Sequence, residues 1–406
     1  MEEWKEYKLG ELITLNSGGT PDKNNKSYWD GEIPWISAKF MYDDYLYSSE
    51  LKISQDGLTS GSRLAPKGSI LLLTRGSGLF NRIPVCYTMR DLAYNQDVKC
   101  IESKKKELVS TEYLFYWLMG NKDSISAILE TTGIGAGKID TNRLKNIRIS
   151  LPPKEYQQIL IGFAESIMHK IEVNRRINEN LEQQAQALFK SWFVDFEPFK
   201  NQPFVESELG MIPQWWKVGT LSEIADIIMG TSPSGSSYNT EGKGDVFYQG
   251  RAEFGFRFPE RNLYTTEAKR FADVDTVLVS VRAPVGDINV AEEKCCIGRG
   301  LASVRSNKGF NSFILYLMQS LKPVFDRFNG EGTVFGSINK KAFEDLKVVI
   351  PDERSVMEFD SISSRIDSQI KRTVLESRRL AELRDTLLPR LMSGELKVND
   401  LENNEI

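Results

Sequence analysis

The sequence predicts an α+β fold in which one unit occurs twice. Each copy is a mixed domain followed by a long helix, and we expect the two helices to pair as an antiparallel coiled coil with pseudo-twofold symmetry. Three observations support this prediction: an internal repeat, short β-type runs in both halves, and a seven-residue apolar period after each half. A chain of 406 residues with 40% hydrophobic content can bury more than one core.

The repeat extends along the whole chain in a conserved order. At an offset of 212 residues, "LGELITLNSGGTP" matches "LSEIADIIMGTSP". "SILLLTRGSG" matches "TVLVSVRAPVG", which places Arg75 opposite Arg282 just after an apolar strand. At an offset of 199, "GKIDTNRLKNIRISLP" matches "GSINKKAFEDLKVVIP". The two halves therefore share one fold, and the insertions fall between the matching blocks.

Each half has the composition of a strand-rich domain. Runs such as "SILLLT", "VKCI", "DVFY" and "TVLVSV" alternate with Gly, Pro, Asn and Ser clusters. "TEYLFYWLMGN" and "NSFILYLMQSL" predict one buried helix per half. We predict a first domain over 1–153, a first long helix over 154–199, a second domain over 200–351, and a second long helix with a tail over 352–406.

Two long helices are predicted by heptad seams that begin after Pro152–Pro153 and Pro351. The seam residues predicted to pair the helices or to contact partners are Leu160, Ile167, Ile171, Asn174, Leu181, Leu188, Trp192, Ile366, Ile370, Leu380, Leu387 and Leu391. About 38 residues rising 1.5 Å each would form a rod of roughly 57 Å. Asn174 and Asn178 either fix the helix register or are exposed where the helices separate, and the sequence favours neither alternative.

Catalytic and metal-binding patterns are weak. The four cysteines and the single His169 are too few for a zinc site or a disulfide framework. "TGIGAGKID" lacks the spacing and the Ser/Thr of a phosphate-binding loop, and Asp91, Glu102 and Lys104 have no counterpart in the second half. No methyltransferase motif of the form Asn/Asp-Pro-Pro-aromatic occurs. We therefore expect a non-catalytic chain with no cofactor and no metal of its own.

The chain resembles the specificity subunit of type I restriction-modification enzymes over essentially its whole length. The resemblance rests on the duplicated "LGEL…SGGTP", on "ILLLTRG", on "LPPKEYQQILIGFAESI" and on the helix ending "QALFKSWFVDFEPF". Lys154 and Tyr156 depart from the family pattern at a predicted helix start, so no functional residue is put in doubt. The resemblance implies that each half is a target-recognition domain for one part of a split, asymmetric double-stranded DNA target.

The resemblance also implies that the helices set the length of the DNA spacer between the half-sites and dock methyltransferase subunits, of which we expect two. Restriction/ATPase subunits would join this complex. S-adenosylmethionine, ATP and Mg²⁺ would be bound by those partners. A rod of roughly 57 Å could address half-sites at most ~17 base pairs apart. The charged N-terminal "MEEWKEYKLGEL" and the absence of a long apolar run predict a cytoplasmic protein with no membrane partner.

DNA contacts are expected from donors in loops, where arginine can pair with guanine and asparagine with adenine. The candidates are Lys23, Lys26, Lys39, Arg75, Asn81, Arg82 and Lys138 in the first half, and Tyr238, Arg251, Arg257, Arg282 and Arg299 in the second. Arg75 and Arg282 stand out because both copies carry arginine at that position. The net charge of −4 requires any basic face to be local.

Two other function classes remain open on the residues alone. A scaffold would use the helices to gather proteins and the domains to bind peptides. A nuclease acting alone would depend on Glu102. Steep salt dependence of DNA binding distinguishes the reader from the scaffold.

Overall fold

The computed structural model describes residues 4–133, 135–329 and 336–398. The chain divides into two compact units, one formed by 1–173 with 377–406 and one by 174–376. The segment 330–335 of the glycine-rich "GEGTVFGSIN" lies outside the described residues. No helix among the described residues is long and apolar enough to cross a bilayer.

Within its described residues, the first unit contains fourteen strands, which are β1 (Lys5–Lys8), β2 (Ile13–Ser17), β3 (Ile33–Ile36), β4 (Tyr45–Leu46), β5 (Lys52–Ile53), β6 (Arg63–Ala65), β7 (Ile70–Leu73), β8 (Arg75–Gly76), β9 (Val85–Thr88), β10 (Leu92–Tyr94), β11 (Val98–Ser103), β12 (Leu129–Thr131), β13 (Gly137–Ile139) and β14 (Arg148–Leu151). Its short helices are α1 (Leu9–Leu12), α2 (Gln55–Gly61), α3 (Thr111–Gly120), α4 (Lys122–Ser126) and α5 (Thr141–Asn146). The largest sheet has the order β2-β11-β7-β9-β4, and a second has the order β5-β3-β10-β6.

The part of the second unit that the structure describes contains thirteen strands, which are β15 (Phe204–Ser207), β16 (Gly210–Pro213), β17 (Lys217–Thr220), β18 (Ala225–Met229), β19 (Tyr238–Asn239), β20 (Asp245–Tyr248), β21 (Tyr264–Thr265), β22 (Phe271–Ala272), β23 (Val277–Ser280), β24 (Ile288–Val290), β25 (Cys295–Ile297), β26 (Leu301–Ser306) and β27 (Lys347–Ile350). The long helix that follows the first domain is α6 (Lys154–Phe193). The remaining helices are α7 (Asn311–Ser320), α8 (Lys322–Asp326), α9 (Lys340–Glu344) and α10 (Glu353–Ser393).

The strand pairings confirm that the two halves share one fold. β1 pairs antiparallel with β14 as β17 does with β27, and β2 pairs with β11 as β18 does with β26. The parallel pair β3–β10 recurs as β20–β25 in the same register. The offset between equivalent residues falls from 212 in the first strands to 203 at β11 and β26. The predicted buried helices correspond to α3 and α7, whose central turns are fully buried.

Each long helix begins at its proline junction, but the two starts are built differently. In the first copy, buried Gln157 donates to the Pro152 carbonyl at 3.0 Å and to that of Leu108 at 3.1 Å. In the second copy, Asp352 caps the helix by accepting from the Ser355 amide at 3.0 Å and from the Trp216 indole at 2.9 Å. Burial alone would raise the pKa of Asp352, but these hydrogen bonds hold it below its usual value. The same strand-to-helix turn is therefore stabilised by different side chains.

Within each unit the two long helices run antiparallel, as predicted. In the first unit, Arg384 contacts the Met168 sulfur at 3.1 Å, and the amide of Val398, beyond the end of α10, donates to the Tyr156 hydroxyl at 3.1 Å. In the second unit, Asn174 Nδ2 donates to Glu376 Oε2 at 2.8 Å, and the Phe189 ring lies 5.6 Å from that of Phe359. In each unit, therefore, residues further along α6 face residues earlier in α10. The helix α10 continues through Pro389 to Ser393.

The residues of the predicted helix seam are buried or half-buried, and none is exposed. Asn174 and Asn178 are both buried, and Asn178 Oδ1 accepts a hydrogen bond from the Thr373 hydroxyl. The alternative that these two asparagines are exposed is therefore wrong. A role in fixing the helix register remains a prediction for them.

Candidate nucleic-acid interface

Arg75 and Lys138 form the centre of an exposed basic site in the first unit. β8 pairs with β13 so that Arg75 lies directly opposite Lys138, and both side chains are exposed. Cross-strand neighbours have Cβ atoms about 4.5–5.5 Å apart, so two like charges here repel each other. Glu130 lies opposite Lys138 on the other side and is ion-paired with Arg143 at 3.4 Å. An anion beside Arg75 and Lys138 would relieve the repulsion between them.

Lys99 adds a third cation near this pair. Its ammonium donates to the Ser17 hydroxyl at 2.6 Å and to the Gln96 carbonyl at 3.3 Å. Burial lowers the pKa of Lys99, Asp97 opposes that shift, and the positive charge of Arg75 adds to it. Lys99 is not among the residues predicted from the sequence.

A groove of about 480 Å³ opens beside the loop 95–97. Its polar lining includes Thr20, Lys23 and Gln96. Trp29 and Trp35 line it as well, with ring centroids 5.1 Å apart in an edge-to-face arrangement. Of the predicted residues, Lys23 is thus the one that reaches this groove.

The second unit repeats the frame of this site. The amide of Thr74, just before Arg75, donates to the Asp97 carbonyl at 2.8 Å, and the amide of Val281, just before Arg282, donates to the Gly300 carbonyl at 2.9 Å. The backbone of Arg282 forms an antiparallel β-bridge with that of Ser337, the residue equivalent to Lys138. Arg75 and Arg282 therefore hold the same place in both units, as the repeat predicts.

The loops beside these two arginines are also equivalent. The Asn95 amide donates to the Ile36 carbonyl at 2.9 Å, and the Gly298 amide donates to that of Tyr248 at 2.8 Å. The frame is the same, but the loop reads Asn-Gln-Asp at 95–97 and Gly-Arg-Gly at 298–300. Both Gln96 and Arg299 are exposed. Gln96 could have been found from the sequence only by matching "YNQDV" with "IGRGL", whose letters barely agree.

A second group of predicted residues lies around Arg82 in the first unit. The Arg82 guanidinium donates to the carbonyls of Met41 and Tyr42 and lies 5.6 Å from the Tyr42 ring centroid. These contacts bring it beside the segment that carries Lys39, which is ion-paired with Glu50 at 3.5 Å. Asn81 and Lys26 are exposed. The contacts of Arg82 hold its head group against the protein surface.

The prediction that Arg257 contacts DNA is wrong for this structure. Its side chain is 5% exposed and ion-paired with Glu182 and, at 3.0 Å, with Asp367. The residues that bury it come from positions 75 and 110 residues away in the chain, which local sequence does not reveal. Of the other predicted residues in the second unit, Arg251 pairs with Asp287, and the half-buried Tyr238 donates to the Pro233 carbonyl at 3.2 Å.

Two equivalent basic sites, on one frame with different adjacent loops, are typical of a duplicated recognition protein. The chain belongs to the type I restriction modification DNA specificity domain family, whose model matches residues 1–183 and 213–384. Proteins of this family are specificity subunits, and catalysis in these systems lies in other subunits. The two separate matches agree with the repeat.

Individual relatives agree with this assignment. The chain is 34% identical over 299 residues to a putative type I restriction enzyme specificity subunit, MjaX, of Methanocaldococcus jannaschii, covering 72% of this chain and 70% of the relative. It is 28% identical to the MjaIX specificity subunit of the same organism, covering 98% and 95%. The crystal structure of a type I system S subunit from M. genitalium has the same fold, with a TM-score of 0.53, 17% identity and 96% coverage of each chain.

Proposed function

We propose that each unit binds one half of a bipartite, asymmetric double-stranded DNA target and that the two long helices set the spacer between the halves. The observation that supports this most is the repeated site, in which an exposed arginine stands beside a loop that differs between the copies. Phosphates repeat along any DNA sequence, whereas bases do not. A shared cation beside a different loop is therefore what two readers of different half-sites require.

Arg75 and Arg282 would hold phosphates, and in the first unit Lys99 and Lys138 would strengthen that contact. Within the described residues, no carboxylate lies at ion-pair distance from Arg75 or Arg282, so neither has to break a salt bridge to bind an anion. Cationic residues of this kind give affinity and orientation but little sequence preference. Lys23 and Lys26 would extend the phosphate contacts around the groove of the first unit.

Partner subunits would dock on the outer faces of the two helices. The seam residues are buried or half-buried, but Ile159, Ile177, Met357, Ile362 and Leu383 remain between 39% and 53% exposed. Apolar side chains exposed along a helix favour contact with another protein. We propose that two methyltransferase subunits bind here, that restriction/ATPase subunits join them, and that these cytoplasmic partners bind S-adenosylmethionine, ATP and Mg²⁺.

The proposal is tested by measuring DNA affinity as a function of salt for the full chain purified with its methyltransferase subunits. A reader that neutralises several phosphates loses affinity steeply, with the logarithm of the binding constant falling by about 0.9 per contact for each unit of log salt. We expect one bipartite sequence to be bound and methylated. A peptide-binding scaffold would show neither the steep slope nor the sequence preference.

Replacing Arg75 or Arg282 by alanine is expected to weaken binding to all DNA sequences to a similar extent. Each loss of a phosphate contact should reduce the salt slope by about 1, because one counterion fewer is released. The measurement is the salt dependence of the dissociation constant on the target and on unrelated DNA. Arg148→Ala is the matched control, since Arg148 is exposed and paired with Glu6. A change of sequence preference in either variant would contradict the phosphate assignment.

Lengthening both long helices by one heptad is expected to lengthen the preferred spacer. Seven residues add about 10.5 Å, which corresponds to roughly 3 base pairs, and they keep the seam in phase. The measurement is the spacer of the methylated target, with the insertions made at facing positions of α6 and α10. Seven residues inserted in the exposed loop at 241–244 serve as the control. If the DNA spacer is unchanged in the heptad variant, the helices do not determine its length.

A further inference from the structure

The loops 95–97 and 298–300 make equivalent backbone hydrogen bonds in the two units but carry different side chains. The matching hydrogen bonds to Ile36 and Tyr248 place the two loops at the ends of equivalent strands. Each loop also contacts the equivalent residue of an earlier segment, but through different groups. Thr20 donates to the Gln96 side chain at 2.7 Å, and Ser232, at the equivalent position, accepts from the Arg299 amide at 3.2 Å.

Both loops are held rigidly, although by different means. In the first, Asn95 Oδ1 accepts from the amides of Asp97 at 3.1 Å and Val98 at 3.2 Å, which closes a tight turn. In the second, Gly298 and Gly300 lie directly against Gln249. A Cβ at Gly298 would come within 2.9 Å of the Gln249 Cα, and one at Gly300 within 2.7 Å of its carbonyl oxygen. The middle residue of each loop therefore projects from a fixed backbone, as accurate recognition requires.

We propose that Gln96 and Arg299 are base-reading residues, that Arg299 contacts a guanine in one half-site, and that Gln96 contacts an adenine in the other. The proposal rests on the proposed DNA-reading function. Each loop lies beside the arginine that the two units share, because the residue before that arginine donates its amide to the last carbonyl of the loop. A duplex held there by its phosphates would present base edges to the loop. Because the shared residue carries no information that distinguishes the half-sites, the distinction must come from residues that differ.

The chemistry of the two side chains selects the base. The guanidinium of Arg299 can donate two parallel hydrogen bonds to O6 and N7 of guanine, and no described carboxylate pairs with it. The amide of Gln96 can donate to N7 of adenine and accept from its N6 group. Its oxygen already accepts from the Thr20 hydroxyl, but a carbonyl oxygen has two lone pairs and can accept a second hydrogen bond. Thr20 thus orients the Gln96 amide without occupying it.

The test uses the full chain purified with its methyltransferase subunits and a pool of random DNA duplexes, from which bound sequences are determined. We expect the wild-type chain to select one bipartite sequence. Arg299→Ala should lose the preference for guanine at one position by about 5- to 150-fold and keep the other positions. Gln96→Ala should do the same for an adenine in the other half-site. Arg305→Ala is the matched control, because Arg305 is exposed on the following strand and paired with Asp273.

The possible outcomes separate this inference from the proposed function. If Arg299→Ala weakens binding to every sequence equally, Arg299 holds a phosphate, and the inference is wrong while the DNA-reading function stands. If the position that loses its preference is not a guanine, the base assignment is wrong. If the wild-type complex selects no sequence, the proposed function itself is overturned. Unchanged selection by both alanine variants would exclude the two loops as base readers.

Discussion

Replacing Arg257 by methionine is expected to lower the free energy of unfolding by about 3–5 kcal/mol, the usual result of removing one partner of a buried ion pair. The guanidinium lies between Glu182 and Asp367, and its Nη2 also donates to the Tyr316 hydroxyl at 3.3 Å. Tyr316 in turn donates to Asp367 at 2.6 Å. Without the arginine, two carboxylates would remain poorly solvated and close to each other.

The measurement is chemical denaturation, combined with hydrogen exchange resolved along the chain. We expect lost protection within residues 174–376, to which all four interacting side chains belong. Arg305→Met is the control, since Arg305 and its partner Asp273 are 54% and 57% exposed and such a surface pair should contribute less than about 1 kcal/mol. Adding Glu182→Gln and Asp367→Asn to Arg257→Met should recover part of the loss. A cost below about 1 kcal/mol for Arg257→Met would show that the buried network does not stabilise the unit.

Replacing Arg384 by methionine should destabilise the first unit by a similar amount, about 3–5 kcal/mol. The Arg384 side chain is 9% exposed, donates from Nη1 to Asp44 at 2.8 Å and pairs through Nε with Asp385 at 2.7 Å. It also contacts the Met168 sulfur at 3.1 Å. It therefore ties the domain, through Asp44, to both long helices within this unit.

Hydrogen exchange should show lost protection in 154–173 and 377–398 but not in 174–376. Arg390→Met on the same helix is the control, because Arg390 is half exposed and paired with Glu395. The reversed pair Asp44→Arg with Arg384→Asp should be more stable than either single reversal, as expected for two groups in direct contact. Strictly additive costs would mean that Asp44 and Arg384 do not stabilise each other.

The two buried ion pairs have their domain residue at a repeated position, but with opposite charge. The Tyr87 amide donates to the Asp44 carbonyl at 2.7 Å, and the Val290 amide donates to the Arg257 carbonyl at 2.9 Å. Tyr87 and Val290 are equivalent in the repeat, so Asp44 and Arg257 are equivalent too. In the first unit the domain supplies the acid and the helix the arginine, and in the second unit these roles are exchanged. The duplicated fold thus tolerates either polarity provided that the buried charge is paired.

The duplication could be predicted from the sequence because it left matching letters in a fixed order. The strand-rich composition and the buried helices α3 and α7 followed from composition and period alone, since these are local properties. The antiparallel pairing of the long helices followed from the repeat, because each copy supplies one helix whose seam needs a partner. Arg75 and Arg282 could be chosen for the same reason, because both copies kept the arginine. Their role in binding remains a prediction.

The equivalence of Gln96 and Arg299 could not be predicted in this way. An insertion changes the offset from 212 to 203 between the first strands and this loop, and no side chain is shared across it. Only the repeated backbone hydrogen bonds reveal that the two loops occupy equivalent positions in the two units. Lys99 was equally hidden, because its nearness to Arg75 depends on how neighbouring strands are paired.

The sequence by itself determined the repeated α+β architecture, the start of each long helix and the seam that pairs them, because each depends on residues close together in the chain. The tertiary structure alone decided which charges are exposed. Arg257 looks like any other loop arginine until Glu182 and Asp367 enclose it from 75 and 110 residues away. Burial of a charge depends on such distant neighbours, and for that reason the local sequence around an arginine does not reveal whether the arginine is exposed.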